Sequence, residues 1–297
     1  MSKKELSIKL VVCDSKNFLG TGITTQFEIN EADKKAIFYN KKIGETIDGA
    51  QIGFPTYVFQ IRGASDIAGF PHLKGIPGSR LKKILKKAPP GYRPRKYKIE
   101  KKVGGYKIVN LKGVYRKKTV RGEELSEQTR QVNVSIIEKK GKSVTEMDEK
   151  DIMNDKILKE ISYKVGNIIT KWGLEILSVK NNEELLPFQE KIKELGVDDS
   201  MLEELKRKIG AAIVKLDHES RRKVLKDAKK LSRNNPSNLG KIIAHITYSA
   251  YNALKNEEIK PEDFVGQLSQ RILDAIRKWL NEEIKTPPKI SLKISLS

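Results

Sequence analysis

The chain has 297 residues and carries 59 Lys and Arg against 38 Asp and Glu, a formal net charge of +21. That length is enough for two domains with cores of their own, and charge of this sign points to a polyanionic partner. The single cysteine, Cys13, excludes an intrachain disulfide, and its place in the apolar run LVVC reads as a small buried hydrophobe. Near the N-terminus the apolar stretch Ile8 to Cys13 is broken by Lys9. It is too short for a secretory core or a spanning helix, so a cytoplasmic protein with no membrane partner is expected.

In chain order, SIKLVV (residues 7–12) and ITTQFEI (residues 23–29) are rich in β-branched residues and are separated by Gly20 and Gly22, which reads as strand, turn, strand. Glu31 to Tyr39 is predicted as one short helix with Asn30 as its N-cap. Glycine then recurs at Gly44, Gly49, Gly53, Gly63 and Gly69, punctuating short apolar runs such as YVFQI. This spacing predicts a compact β-rich domain, a small β-barrel.

From Lys74 the apolar density falls. Residues 74–121 hold 18 basic side chains and one acidic one, Glu100, so +17 of the net charge lies here. Pro77, Pro89, Pro90 and Pro94 interrupt regular structure, and long extended or loop segments are expected, save for a short helix over SRLKKILKK (Ser79 to Lys87). RQVNVSII (Arg130 to Ile137) is predicted as the last strand, and the polar run EKKGKSVTEMDE marks a boundary. The expected domains are therefore 1–142 and 143–297, with net charges of +18 and +3.

Past the boundary the apolar period becomes helical. Ile152, Ile157, Ile161, Val165, Ile168, Ile169 and Trp172 mark one helix, with Gly173 as its C-cap before the strand-like LEILSV. Leu202, Leu205, Ile209, Ile213 and Leu216 mark a second, and others are predicted over Arg221 to Leu231 and Leu239 to Leu254. The last opens at KPEDF, where Pro261 suits a first turn and Glu262 and Asp263 suit the positive end of the helix dipole, and TPP stops it after Ile284. The whole is an α+β multidomain chain whose second domain is mainly helical.

Basic side chains on an extended segment can meet successive phosphates and release condensed counterions. Arg80, Lys82, Lys83, Lys86, Lys87, Arg93, Arg95, Arg116, Lys117, Lys118 and Arg121 are the candidate RNA-binding residues. The arginines offer planar forks for phosphate or base, the lysines point charges. Tyr92, Tyr97 and Tyr115 are interleaved with them, placed either to stack on unpaired bases or to pack on the domain itself. Gly63, Gly69, Gly91 and Gly122, with Pro71 and Pro94, read as turns that place the charges. Enzymatic motifs fail on spacing. GKS at Gly141 lacks the glycine five positions earlier, where Ile136 stands, and His72, His218 and His245 are too scattered for a zinc site. No catalytic residue, metal or cofactor is expected, and no small-molecule substrate.

Four motifs in order, KKIGETIDG (Lys41 to Gly49), GASDIAGFPH (Gly63 to His72), GYRPR (Gly91 to Arg95) and RKKTVRGEELSEQTRQVN (Arg116 to Asn133), resemble the archaeal and eukaryotic small-subunit ribosomal protein S6e family over about residues 7–137. The resemblance implies a β-barrel domain whose basic loops reach into small-subunit ribosomal RNA, neighbouring ribosomal proteins as partners, and no catalysis. The family motif falls on Gly63, Ser65, Asp66, Gly69, Phe70 and Pro71, on Gly91, Arg93 and Pro94, and on Arg116 through Gly122. Departures are Ala64, Ile67 and His72, the last where the family usually has Met, and an insertion at Lys98 to Gly113. A structural constituent of the small ribosomal subunit is the leading expectation. The alternative is an RNA-tethered regulatory adaptor whose helical domain recruits a protein.

Overall fold

Along β1 (Ile8–Cys13), buried Ile8, Leu10 and Val12 alternate with half-buried Lys9, Val11 and Cys13, the period of a strand with one face on a core. The computed structural model describes residues 7–14, 21–87, 96–101, 104–110, 115–141, 143–174, 188–229, 231–232 and 235–284. By internal packing the chain divides into two units, Met1–Cys13 with Gln26–Lys140 and Asp14–Thr25 with Gly141–Ser297.

The first unit is built on β9 (Thr129–Lys139), which pairs in parallel with β1 and antiparallel with β4 (Tyr57–Asp66). With β2 (Thr24–Ile29) beside β1 and β3 (Thr46–Asp48) beside β4, the sheet order is β2-β1-β9-β4-β3. Leu10, Phe59, Ile61, Val132 and Val134 are fully buried on it, and Phe54 packs edge-on against Phe59 with ring centroids 6.0 Å apart. No ladder joins β2 to β3 among the described residues, so the sheet is open at two edges where a barrel was expected. β3 is only three residues long and gives way to a 3-10 turn at Gly49–Ile52, leaving little edge to pair. The short helix α1 (Ala32–Ala36) begins after Glu31 and not after Asn30.

Two sequence expectations are corrected here. Gly63 is not a turn residue but lies inside β4, at a shift of the β4–β9 register between Ile61 and Gly63. A Cβ there would meet nothing within 4 Å, so the position marks a bulge and not a close approach. SRLKKILKK, in turn, is not helical. Leu81–Lys87 forms β5, paired antiparallel with β8 (Tyr115–Arg121) from Leu81↔Arg121 to Lys87↔Tyr115. Leu81, Ile84 and Leu85 have the spacing of a helix face, but Leu81 and Leu85 are exposed and Ile84 is only half-buried. With no core to reward the helix, the cross-strand partner decides. Overlapping the insertion, β6 (Lys96–Glu100) and β7 (Tyr106–Asn110) make a second two-stranded ribbon, and Lys101 N donates to Gly105 O at 2.9 Å beside it.

The second unit holds seven helices among the described residues: α2 (Glu149–Asn154), α3 (Lys156–Leu174), α4 (Phe188–Glu194), α5 (Asp199–Lys215), α6 (His218–Ala228), α7 (Asn238–Lys255) and α8 (Pro261–Leu280). Glycine brings α3 and α5 together backbone to backbone. A Cβ at Gly166 would lie 1.7 Å from Lys206 O, and one at Gly210 would lie 1.8 Å from Ser162 O. Gly173 is not a C-cap: α3 runs on to Leu174, and a Cβ at Gly173 would strike Thr247 of α7. Trp172 donates from Nε1 to Ala228 O at 3.1 Å, tying α3 to α6. The α4 helix was not anticipated, and α8 ends at Leu280, ahead of the Ile284 stop. The expected strand LEILSV falls, after Leu174, outside the described residues. No described helix is long and apolar enough to cross a membrane.

Candidate nucleic-acid interface

The β5–β8 ribbon gathers most of the basic residues singled out from the sequence. Lys82, Lys83, Lys86, Lys87, Arg116, Lys117 and Lys118 are all exposed on it. Because successive strand residues point to opposite faces, Lys82, Ile84 and Lys86 share one face with Arg116, Lys118 and Val120. Leu81, Lys83, Leu85 and Lys87 share the other with Tyr115, Lys117, Thr119 and Arg121. Register sets Lys86 directly opposite Arg116, two like charges side by side, which weakens the pairing by itself. The second face mixes cations with exposed apolar surface: Leu85 is 62% exposed and Tyr115 is 61% exposed, so both are open to a flat partner.

The foot of the ribbon is fastened by a buried cluster. Arg121 ends β8, with its guanidinium covered by the first unit. Its Nε donates to Asp66 Oδ2 at 3.1 Å, its Nη1 to Ser79 O at 2.9 Å and its Nη2 to Gln128 Oε1 at 2.7 Å. All three sides of the fork are used within the fold, and the side chains of Arg121 and Asp66 are 8% and 2% exposed. Arg121, expected among the RNA-binding residues, is thus buried, unlike the seven exposed cations of the ribbon. In the fold it holds the ribbon in place, with each guanidinium nitrogen bonded inside the unit. Charge in a basic run gives no hint of this; Asp66, in the motif GASDIAGFPH, was the available signal.

Asp66 also shapes the turn that follows β4. Its Oδ1 accepts from Phe70 N at 2.7 Å, and its carbonyl accepts from Gly69 N at 3.0 Å. Gly69 adopts φ +84°, a left-handed conformation that glycine takes without Cβ strain. Beyond the turn, Arg121 N donates to Pro71 O at 2.9 Å and Leu73 N donates to Arg121 O at 3.0 Å. Gly122 completes the lock, since a Cβ there would lie 1.8 Å from Gly78 O. Gly69, Pro71 and Gly122 thus sit where the ribbon leaves the sheet. Arg80, exposed, stands at the same foot. Gly91, Arg93, Pro94 and Arg95 lie outside the described residues.

His72 is buried in this foot. Its Nδ1 donates to Gly122 O at 2.7 Å, and its Nε2 lies 3.3 Å from the Thr129 hydroxyl. Burial pushes the imidazole below its ordinary value of 6.5, aided by the Arg121 charge and opposed by the Gly122 bond and by Asp66. The neutral form is thus favoured in the fold, while the unfolded chain takes up the proton once the pH drops to about 6.5. Stability from His72 is complete above that value and is lost as the pH falls below it. Thermal unfolding followed by circular dichroism should show a midpoint that falls between about pH 7.5 and pH 5.5, with a smaller fall in His72→Met. Equal falls in the two proteins would contradict this assignment.

Comparison with known proteins places these elements among relatives. A profile of the ribosomal protein S6e family matches residues 8–149. The small ribosomal subunit protein eS6 of Methanocaldococcus jannaschii is 39% identical over 139 residues, 47% of this chain and 88% of the relative. That of Natronomonas pharaonis is 32% identical over 126 residues, covering 42% and 85%. That of Hyperthermus butylicus is 41% identical over 96 residues, covering 32% and 37%. The match ends at Glu149, so helices α3 to α8 lie beyond the part shared with the family.

Proposed function

The chain belongs to the ribosomal protein S6e family, a family of structural and not enzymatic proteins, and from that premise we propose that it is a constituent of the small ribosomal subunit that grips ribosomal RNA with the β5–β8 ribbon. The observation that carries this reading is the ribbon's charge. Seven exposed Lys and Arg stand on two strands, with Lys86 set against Arg116. A two-stranded ribbon is marginal by itself, and like charges across it make it worse. Phosphates along an RNA backbone supply the missing counter-charge, and release of their counterions drives binding.

Lys82, Lys86, Arg116 and Lys118 form the phosphate-facing surface in this reading, with Lys83, Lys87 and Lys117 on the opposite face beside Tyr115 and Leu85. Tyr115 offers a ring for an unpaired base. Arg80 extends the basic surface toward the sheet, and Arg93 and Arg95 continue it in sequence. Neighbouring ribosomal proteins are the partners assigned to the rest of the chain, which puts the protein at the ribosome.

Sedimentation of a cell extract tests the proposal. The chain should travel with small subunits through a sucrose gradient at low salt and be stripped from them as salt rises. Recovery only in the free fraction, at low and high salt alike, would overturn it.

A further inference from the structure

At the foot of the ribbon three segments enclose an open cleft of about 560 Å³ lined by Tyr39, Asn40, Arg80 and Ser126 to Gln128, with Arg121 among its walls. The first segment is held by Asn40 N donating to Leu125 O at 3.0 Å and by Leu125 N donating to Lys41 O at 2.9 Å. These bonds set the Tyr39–Asn40 corner beside Ser126, and Asn40 turns it with φ +64°. The second is the Ser79 to Leu81 entry into β5, tied through Ser79 O to Arg121 Nη1. The third is the turn Ser126 to Thr129, in which Ser126 N donates to Thr129 Oγ1 at 3.1 Å.

We propose that this cleft receives one unpaired guanine nucleotide of the bound RNA, an inference that rests on the RNA-binding reading above. The volume lies within the usual range for small-ligand sites. Tyr39 is half-buried and gives a ring on which a base stacks. The Ser126 hydroxyl is buried with no hydrogen-bond partner among the described residues, a cost that a polar ligand removes. Gln128 has its Oε1 committed to Arg121, which leaves its amide nitrogen as the donor for a base carbonyl. Arg80, exposed on the rim, is placed for the nucleotide's phosphate.

Glu127 selects the base. An ionised carboxylate only accepts hydrogen bonds, and guanine sets two N–H donors side by side on its pairing edge, N1–H and N2–H. Adenine and cytosine each place a ring-nitrogen acceptor next to their single amino group, and uracil flanks its one N–H with two carbonyls. Guanine alone matches both carboxylate oxygens. The Tyr39 phenol, pushed up by burial and by the Glu127 charge, stays protonated at neutral pH and adds a further donor.

The probe is guanosine 5′-monophosphate titrated into the full chain at about 0.5 M salt, where surface electrostatics are largely screened, and followed by saturation-transfer NMR. It should bind about tenfold or more tightly than the adenosine, cytidine and uridine monophosphates. Glu127→Gln should remove that preference, and Tyr39→Ala, which removes the stacking ring, should weaken binding of all four nucleotides. A ribbon stripped of its seven cations should still bind the guanosine nucleotide. Equal affinity for all four nucleotides, unchanged preference in Glu127→Gln, or no binding at about 10 mM would each overturn the cleft assignment. RNA that still binds the intact chain in any of those cases leaves the ribbon reading standing.

Discussion

Changing Lys82, Lys83, Lys86, Lys87, Arg116, Lys117 and Lys118 together to Gln is expected to weaken binding to small-subunit ribosomal RNA on the order of 10³-fold at moderate salt. Each phosphate neutralised by a Lys or Arg contributes ~0.7 to 0.9 to the slope of log affinity against log salt. If most of the seven meet phosphate, the slope should fall by about five. The loss should be uniform across RNA sequences, because phosphate contacts position a protein without reading bases. The fold should survive. All seven side chains are exposed, and the one hydrogen bond seen among them that is given up, Lys82 Nζ to Pro77 O at 3.1 Å, lies on the surface. Filter binding over a range of potassium chloride, with circular dichroism as the control for folding, reads both quantities. A variant with wild-type slope would remove the ribbon from the interface.

The second large effect is on stability. Arg121→Met strands the Asp66 carboxylate in a buried site where, among the described residues, it keeps the Phe70 amide as its donor. Breaking one side of a buried ion pair costs about 3–5 kcal/mol, and here the Ser79 carbonyl and the Gln128 amide also lose their partner. Local hydrogen exchange is the suitable readout, since it follows each of the two packing units by itself. Amides of β4 and β9 should lose protection in Arg121→Met, while those of α3 and α5 should not. Adding Asp66→Ala in the same chain should restore part of the loss, as a double-mutant cycle across a direct contact requires. A change below about 1 kcal/mol would mean that Arg121 is solvated in solution.

Much of this fold was legible in local pattern. Alternating apolar residues in SIKLVV, ITTQFEI and RQVNVSII became β1, β2 and β9, and the apolar period past Ile152 became helices. Failures occurred where a nonlocal partner decided the outcome. LKKILKK has helical spacing, but β8, some 30 residues on, turned it into a strand. Gly173 looks like a helix stop only until Thr247 is known to press on it. The ribbon's basic surface was legible as a run of charge, because solvent-exposed Lys and Arg need no tertiary context to be counted. What the run concealed was the division of labour within it. Arg116 and Arg121 look alike in RKKTVR, yet one is exposed and the other is buried against Asp66, Ser79 and Gln128. Tyr39, Asn40, Ser126, Glu127 and Gln128, which line the proposed cleft, were passed over, four because they carry no charge and Glu127 because its charge is opposite to that of the run. Their only trace was the place of Ser126 to Gln128 inside the motif RKKTVRGEELSEQTRQVN.

The central claim is that the β5–β8 ribbon itself lies on ribosomal RNA, and ultraviolet cross-linking of assembled small subunits, read by mass spectrometry of the cross-linked peptides, tests it most directly. Peptides containing Lys82 to Lys87 and Tyr115 to Lys118 are predicted to carry ribonucleotide adducts, with adducts to residues from α3 onward rare. Adducts confined to the helical unit, with the ribbon peptides recovered unmodified, would contradict the account.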